Sequence, residues 1–282
     1  MKLSTALRLG RVSNLPTVTS NVVAAIALAG RRPGAVTIAL ACMAMSLMYV
    51  AGMWLNDAFD RDLDRVERPE RPIPSGEVAA GTVFDVGFAL LAGGIVLIAA
   101  LAFTSGAGWP PVLSAIALGS LIIFYDAHHK QNRWSPLIMG MCRAAVYTTA
   151  ALLVRRDLCP EVLAGCGLLL AYLIGLTYVA RQENLDELTN LWPLAFLAAP
   201  FVIARPHDTI GLAIYTGYML WVFRSLVLIR RRAIREAVTG LIAGISLLDA
   251  LLIINLGRPG LAIVALAAFF ATAALQRVVP GT

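Results

Sequence analysis

Seven of the 17 acidic residues in this 282-residue chain fall between Asp57 and Glu77. Their core reads Asn56-Asp57-Ala58-Phe59-Asp60-Arg61-Asp62-Leu63-Asp64 and directly follows a long apolar run. If the helix continues, Asp60 lies about 40° round from Asn56, Asp64 about 80° and Asp57 about 100°, with Asp62 opposite at about 240°. Three carboxylates and an amide then share one stripe. Like charges one helical turn apart repel; a divalent cation would reverse the sign. Mg²⁺ takes oxygen ligands, keeps several waters, and is usually held by one or two carboxylates together with substrate phosphates. The stripe therefore suits a Mg²⁺–diphosphate site at a membrane surface. It equally suits a solvated loop whose charges pair with Arg61, Arg65 and Arg68.

The residues that follow favour the first reading. Arg65-Val66-Glu67-Arg68-Pro69-Glu70-Arg71-Pro72-Ile73-Pro74-Ser75-Gly76 sets three prolines and several arginines beside the stripe. Proline stops a helix and stiffens a loop. Arginine suits bidentate phosphate contacts.

The elements that must position these groups are membrane spans. The chain is 59% apolar and 14% charged, with mean hydropathy +0.77. Soluble domains run at about 45–50% and about 25%. Disorder is excluded by the shortage of polar residues. A nucleic-acid partner is not expected despite the net charge of +6, because basic charge in so apolar a chain reads as membrane orientation. Cys42, Cys142, Cys159 and Cys166 form no CxxC pair, which argues against a disulfide framework or a cysteine zinc site. Lys2, Arg8 and Arg11 before the first apolar stretch resemble a signal peptide, but Asn14, Pro16 and Asn21 within it favour a retained helix.

Candidate membrane-crossing runs fall near 14–30, 35–55, 82–104, 109–125, 135–154, 160–179, 190–204, 209–229, 238–256 and 260–276, of which the seventh is short. The expectation is an all-α polytopic bundle of nine or ten helices around a central cavity, in one domain over 1–282. With ten spans, 15 of the 23 Lys/Arg lie on the side that carries 57–77 and 6 on the other, with Arg143 and Arg224 inside spans. The richer side should be cytoplasmic.

Asn-Asp-x-x-Asp-x-x-x-Asp at the end of the second span, followed by Arg-Pro-Ile-Pro-Ser-Gly, resembles the UbiA superfamily of intramembrane prenyltransferases. The resemblance covers most of the chain in span layout and is most specific over 56–76. It implies a fold of about nine helices and a Mg²⁺-held prenyl diphosphate. It implies Asn56, Asp57, Asp60 and Asp64 as Mg²⁺–diphosphate residues, with Arg71 near the phosphates. Tyr125-Asp126-Ala127-His128-His129-Lys130 is similar to the family's Tyr-x-x-x-x-Lys turn, which implies Lys130 facing the diphosphate and Tyr125 in the site. Lys130 also reads as a snorkelling, orienting lysine. Adjacent His128 and His129 point about 100° apart on a helix, so a shared metal is not expected.

The family carries a second Asp-rich motif after its sixth span. Here that place reads Arg181-Gln182-Glu183-Asn184-Leu185-Asp186-Glu187. Glu183, Asp186 and Glu187 share one helical stripe of about 100° and are candidate metal residues. The Asp-x-x-x-Asp spacing is absent, and Arg181 could take part of a cation's place at the substrate. This altered motif together with the Tyr-Asp-Ala-His-His-Lys turn looks most like the EboC-type branch, which belongs to bacterial gene clusters tied to secondary-metabolite handling and export.

Charged residues inside spans usually face a bundle interior or a water-filled cavity. Arg143 is a candidate cavity cation for a diphosphate or an acceptor, and Asn21 a candidate cavity-lining amide. Arg224 lies close enough to Arg230 to snorkel, and Asp249 could be a buried partner for an arginine. The leading expectation is Mg²⁺-dependent prenyl transfer from an isoprenyl diphosphate to an aromatic or otherwise lipophilic acceptor. Tyr125 and Tyr147 are the aromatic rings that could face a carbocation. The expected setting is a bacterial inner membrane with both motifs cytoplasmic. The alternative is non-catalytic binding or export of a diphosphate lipid. A cation channel is disfavoured because the carboxylates cluster at one membrane face. A CDP-alcohol phosphotransferase is disfavoured because its Asp-rich pattern is absent around residue 57.

Overall fold

The computed structural model describes residues 1–130, 132–181, 192–203, 208–279 and 281, with backbone alone for 202 and 203. The candidate metal residues Glu183, Asp186 and Glu187 lie outside the described residues. Every regular element among the described residues is helical. Seven helices are long and apolar enough to cross a membrane. They are α3 (Ala35–Phe59), α5 (Ala80–Thr104), α6 (Trp109–His128), α7 (Ser135–Val154), α8 (Pro160–Arg181), α10 (Thr209–Arg230) and α11 (Ile234–Ile254).

The shorter helices α2 (Leu15–Leu28) and α12 (Pro259–Leu275) occupy the expected first and last spans. The expected span at 190–204 is different. Its described part is a 3₁₀ stretch, Trp192–Ala198, followed by α9 (Ala199–Ile203). Pro193 and Pro200 remove two backbone donors from this segment, so hydropathy alone overstates its helical length. Two short helices complete the set: α1 (Leu3–Leu9) before the first span and α4 (Arg61–Glu67) after the second.

Burial separates central from peripheral helices. α11 is buried around almost its whole circumference, as an all-round apolar helix must be. It packs against α2, α8, α10 and α12. Gly244 lets α8 and α10 approach it: a Cβ there would stand 2.4 Å from the Tyr172 hydroxyl and 3.1 Å from Trp221. By contrast, α5, α10 and α12 leave Phe88, Val96, Phe103, Leu220, Phe223, Ile263 and Phe270 exposed. Large apolar side chains turned outward on several helices are what a lipid-facing exterior requires. The chain is a multi-pass integral membrane protein.

Two packing features position the end of α3. α3 lies along α5, where a Cβ on Gly94 would meet Met48 Cγ at 2.5 Å and the Ala44 carbonyl at 3.0 Å. Below it, Leu9, Trp54, Ala58, Val78 and Val83 form a small separate core that ties α1 and the 68–78 loop under α3. Glu77 fastens the same loop, accepting from Thr5 Oγ1 at 2.7 Å and from Arg8.

Candidate active site

α3 ends at Phe59, and Asp60 joins it to α4 with helical φ/ψ and its N–H bonded to the Asn56 carbonyl. The stripe therefore continues through the junction. Asn56, Asp57, Asp60 and Asp64 are each buried, at 8%, 6%, 6% and 3% exposure. Asp62 falls outside the stripe; it is exposed and pairs with Arg65 at 3.0 Å and Arg61 at 3.6 Å. The solvated-loop reading thus describes Asp62 and not its neighbours.

Each buried acid of the stripe has a basic partner. Arg71 Nη1 donates to Asp64 Oδ2 at 2.7 Å and stands 3.4 Å from Asp57 Oδ1. Arg11 Nη2 donates to the same Asp57 oxygen at 3.1 Å. Lys130 Nζ lies 3.2 Å from Asp60 Oδ2, and His129 Nε2 lies 3.5 Å from it. Burial pushes the Asp60 carboxyl up. The His129 hydrogen bond and the charges of His129 and Lys130 outweigh burial and hold it below the usual carboxylate range.

The groups beside Asp60 come from the end of α6. Tyr125 and His129 stack one turn apart, with ring centroids 4.9 Å apart and an interplanar angle of 16°. Asp126, on the same turn, accepts from Asn56 Nδ2 at 3.2 Å through Oδ1, while its Oδ2 is buried without a hydrogen-bond partner. Arg181, at the end of α8, donates to the Asn132 carbonyl at 2.8 Å. α3, α6 and α8 thus deliver both acidic and basic side chains to one place.

That place is the mouth of a cavity of about 470 Å³. Asn56, Asp60, Asp64, Arg71, Asp126, Lys130 and Arg181 line its polar end. Met48, Leu118, Ile122, Leu173 and Ile245 line its apolar body. The cavity can therefore take a molecule with a charged head and a hydrocarbon tail.

Arg143 also lies in the cavity wall. Its Nη1 donates to Asn21 Oδ1 at 2.9 Å, its Nη2 to Thr17 Oγ1 at 3.3 Å, and its guanidinium lies 5.4 Å from the Tyr49 ring centroid. Asp249 is buried and accepts from Ser20, Asn21 and Tyr147. Its link to Arg143 runs through Asn21, so the expected Arg–Asp pairing is indirect. Tyr147 is fully buried, and its hydroxyl is committed to Asp249. Tyr125 is the ring of the expected two that lines the cavity. Arg224 lies 5.0 Å from the Trp221 ring centroid instead of entering the cavity wall.

Three site residues were not singled out from sequence: Arg11, Asp126 and His129. Arg11 looked like one of several orienting charges. Asp126 stood inside the Tyr-x-x-x-x-Lys match without a role. His129 reads in the sequence only as half of an adjacent histidine pair. Each meets its acidic or amide partner across at least 46 positions of chain, which helical periodicity cannot report.

The description of the UbiA prenyltransferase family matches residues 16–280. A chloroplastic chlorophyll synthase from Avena sativa is 36% identical over 106 residues, covering 35% of this chain and 28% of that protein. A digeranylgeranylglyceryl phosphate synthase from Ignicoccus hospitalis is 37% identical over 126 residues, covering 44% of this chain and 38% of that protein. The matched segments span well under half the length of either relative. A solved structure of a digeranylgeranylglyceryl phosphate synthase superposes with a TM-score of 0.60 at 15% identity, covering 94% of this chain and 99% of that one. A UbiA homolog from Aeropyrum pernix K1 gives a TM-score of 0.55 at 15% identity, covering 94% and 97%. These two structures are like this chain in fold. Because the family's pattern runs through nearly the whole sequence, this chain belongs to the UbiA prenyltransferase family.

Proposed function

We propose that the chain transfers a prenyl group from an isoprenyl diphosphate to a lipophilic acceptor inside the membrane. The observation that carries this reading is the junction of an acid-and-base-lined mouth with an apolar, membrane-embedded cavity. The arrangement suits an amphipathic donor whose diphosphate stays at the mouth and whose tail lies in the body.

The residues fit a Mg²⁺ requirement. Asn56, Asp57, Asp60 and Asp64 offer oxygen donors, and Asp126 Oδ2 is a buried oxygen without a partner at the same mouth. Mg²⁺ is usually held by one or two carboxylates and completed by substrate phosphates and water, so these oxygens need not form a full protein cage by themselves. When bound, Mg²⁺ supplies Lewis-acid neutralisation of the leaving diphosphate.

The chain's own groups do the rest. Arg71, Lys130 and Arg181 are cations at the mouth, placed to bind diphosphate oxygens. The allylic C–O bond breaks, and its electron pair leaves with the diphosphate. The acceptor's nucleophilic pair forms the new bond to the allylic carbon, and the acceptor loses a proton. The apolar wall excludes water that would otherwise quench the carbocation. The Tyr125 ring, lining the cavity beside the mouth, offers a π face to the developing positive charge. Arg143, held by Asn21 and Thr17, is placed to orient an acceptor's polar group. The Mg²⁺ dependence, the cytoplasmic orientation of the mouth and a bacterial inner-membrane setting belong to the same reading.

The test uses purified protein in detergent with geranyl, farnesyl and geranylgeranyl diphosphate, with and without Mg²⁺, alongside Asp60→Ala. Thermal stabilisation reports binding, and released diphosphate reports chemistry. Mg²⁺-dependent stabilisation lost in Asp60→Ala, with diphosphate release when an acceptor is supplied, is the expected result. Stabilisation without release across a panel of acceptors would favour lipid binding or export. No Mg²⁺-dependent stabilisation at any chain length would overturn the reading.

A further inference from the structure

We propose that Asp126 is a cation-holding carboxylate of this site, contributed by α6 from outside the Asp-rich stripe. The inference rests on the metal–diphosphate reading above and adds to it a ligand from a second helix.

The argument begins with burial. Asp126 is 5% exposed and lines the cavity mouth. One carboxylate oxygen takes the Asn56 amide N–H; the other is buried and unpartnered. A buried carboxylate oxygen is costly unless paired. The nearby cations are engaged elsewhere: Arg11 with Asp57, and Lys130 with Asp60. A purely structural role, clamping α3 to α6 through Asn56, accounts for Oδ1 only. It leaves Oδ2 unexplained, and a neutral amide could make the same clamp without burying a charge.

Asp126 also sets the Asn56 amide. Because Asn56 Nδ2 donates to Asp126, the amide's other end is its oxygen, the atom a hard cation takes. The two helices meet in register here. Asn56 faces Asp126, and one turn further on Asp60 faces His129 and Lys130. A cation at this crossing takes protein oxygens from both helices, whereas the stripe alone would offer oxygens from one.

The experiment measures cation binding directly. Full-length protein in detergent is titrated with Mg²⁺ in the presence of inorganic diphosphate, and the thermal midpoint is followed. Bound Mn²⁺ is counted by electron paramagnetic resonance. Asp126→Asn should raise the half-maximal Mg²⁺ concentration tenfold or more and reduce bound Mn²⁺. Asp126→Cys should lose the Mg²⁺ response but regain a Cd²⁺ response that exceeds the wild type's, because thiolate prefers the softer ion. If Asp126→Asn lowers the midpoint without metal, the cysteine variant decides. A gained Cd²⁺ preference supports the inference, and equal loss with both ions overturns it, leaving a helix clamp. An unchanged Mg²⁺ midpoint in Asp126→Asn, with a raised one in Asp60→Ala, overturns the inference and spares the wider reading. No Mg²⁺ response and no bound Mn²⁺ in the wild type overturns both.

Discussion

Arg143 and Asp249 are joined through a single amide. Asn21 Oδ1 accepts from Arg143 Nη1 at 2.9 Å, while Asn21 Nδ2 donates to the two Asp249 oxygens at 3.1 and 2.9 Å. The cation faces the cavity, and its counter-charge lies one layer behind, enclosed by α2, α7 and α11. Asn21→Leu should therefore strand both charges. Breaking a buried charge network by removing one partner costs about 3–5 kcal/mol, because the remaining charge is left uncompensated. The thermal midpoint should fall sharply in Asn21→Leu. It should recover in part in Asn21→Leu/Asp249→Asn, which removes one stranded charge. A double variant no more stable than the single one would mean that the amide serves packing alone.

Arg71 plays at the mouth the part that a metal ion could take over. Its Nη1 sits between Asp57 Oδ1 and Asp64 Oδ2, so Arg71→Met leaves two buried carboxylates facing each other without it. The apoprotein should lose stability by about 2–4 kcal/mol, somewhat less than a fully buried pair because Arg71 keeps some exposure. Added Mg²⁺ should then raise the thermal midpoint of Arg71→Met by more than it raises that of the wild type, since the ion replaces the lost positive charge. Equal shifts in the two proteins would argue against a cation competing for these carboxylates.

How much of this was readable beforehand follows from the range of each interaction. The separation of Asp62 from Asn56, Asp57, Asp60 and Asp64 is a local matter of helical period, and the buried stripe keeps that period across the α3–α4 junction. The long spans follow from hydropathy summed over about 20 residues. The pairings that complete the site are of another kind. Arg11 meets Asp57 across 46 positions, Asn56 meets Asp126 across 70, and Asn21 meets Asp249 across 228. They depend on which helices cross and at what height, which is decided by close approaches such as Gly94 on Met48 and Gly244 on Tyr172. At 190–204 the local signals themselves disagree. Hydropathy asks for a span, Pro193 and Pro200 forbid a continuous one, and the described part follows the prolines.

The Glu77 tether gives a pH dependence with a definite sign. Hydrogen bonds from Arg8 and Thr5 hold the Glu77 carboxyl below the ordinary glutamate range. A carboxylate whose folded pKa is depressed stabilises the fold above its unfolded pKa of about 4.3, and that contribution fades as pH falls through the folded value. Wild type should therefore melt higher than Glu77→Gln at pH 7, and the two should converge below about pH 4. Because the tether is exposed, the gap should also shrink in high salt. A gap that stays constant between pH 7 and pH 3.5 would mean that Glu77 acts through neutral hydrogen bonds alone.

The last prediction ties helix packing to the site. Gly94 on α5 faces α3 two turns before Asn56, and a Cβ there would meet Met48 Cγ at 2.5 Å and the Ala44 carbonyl at 3.0 Å. Met48 Cγ lies two bonds from its own backbone, so it has little more room to yield than the Ala44 carbonyl has. Gly94→Ala should therefore push α3 and α5 apart by a few tenths of an ångström and cost about 1–3 kcal/mol, the usual range for overpacking. Displacing α3 shifts Asn56 and Asp60 against Asp126 on α6 and Lys130 in the turn after it. Donor binding measured by Mg²⁺-dependent thermal shift should weaken in Gly94→Ala, although Gly94 itself does not line the cavity. Gly93→Ala is the control, since a Cβ on Gly93 meets nothing within 4 Å. Its donor binding should match the wild type's. Equal effects from the two substitutions would trace the change to backbone entropy, and the α3–α5 contact would then have no part in setting the site.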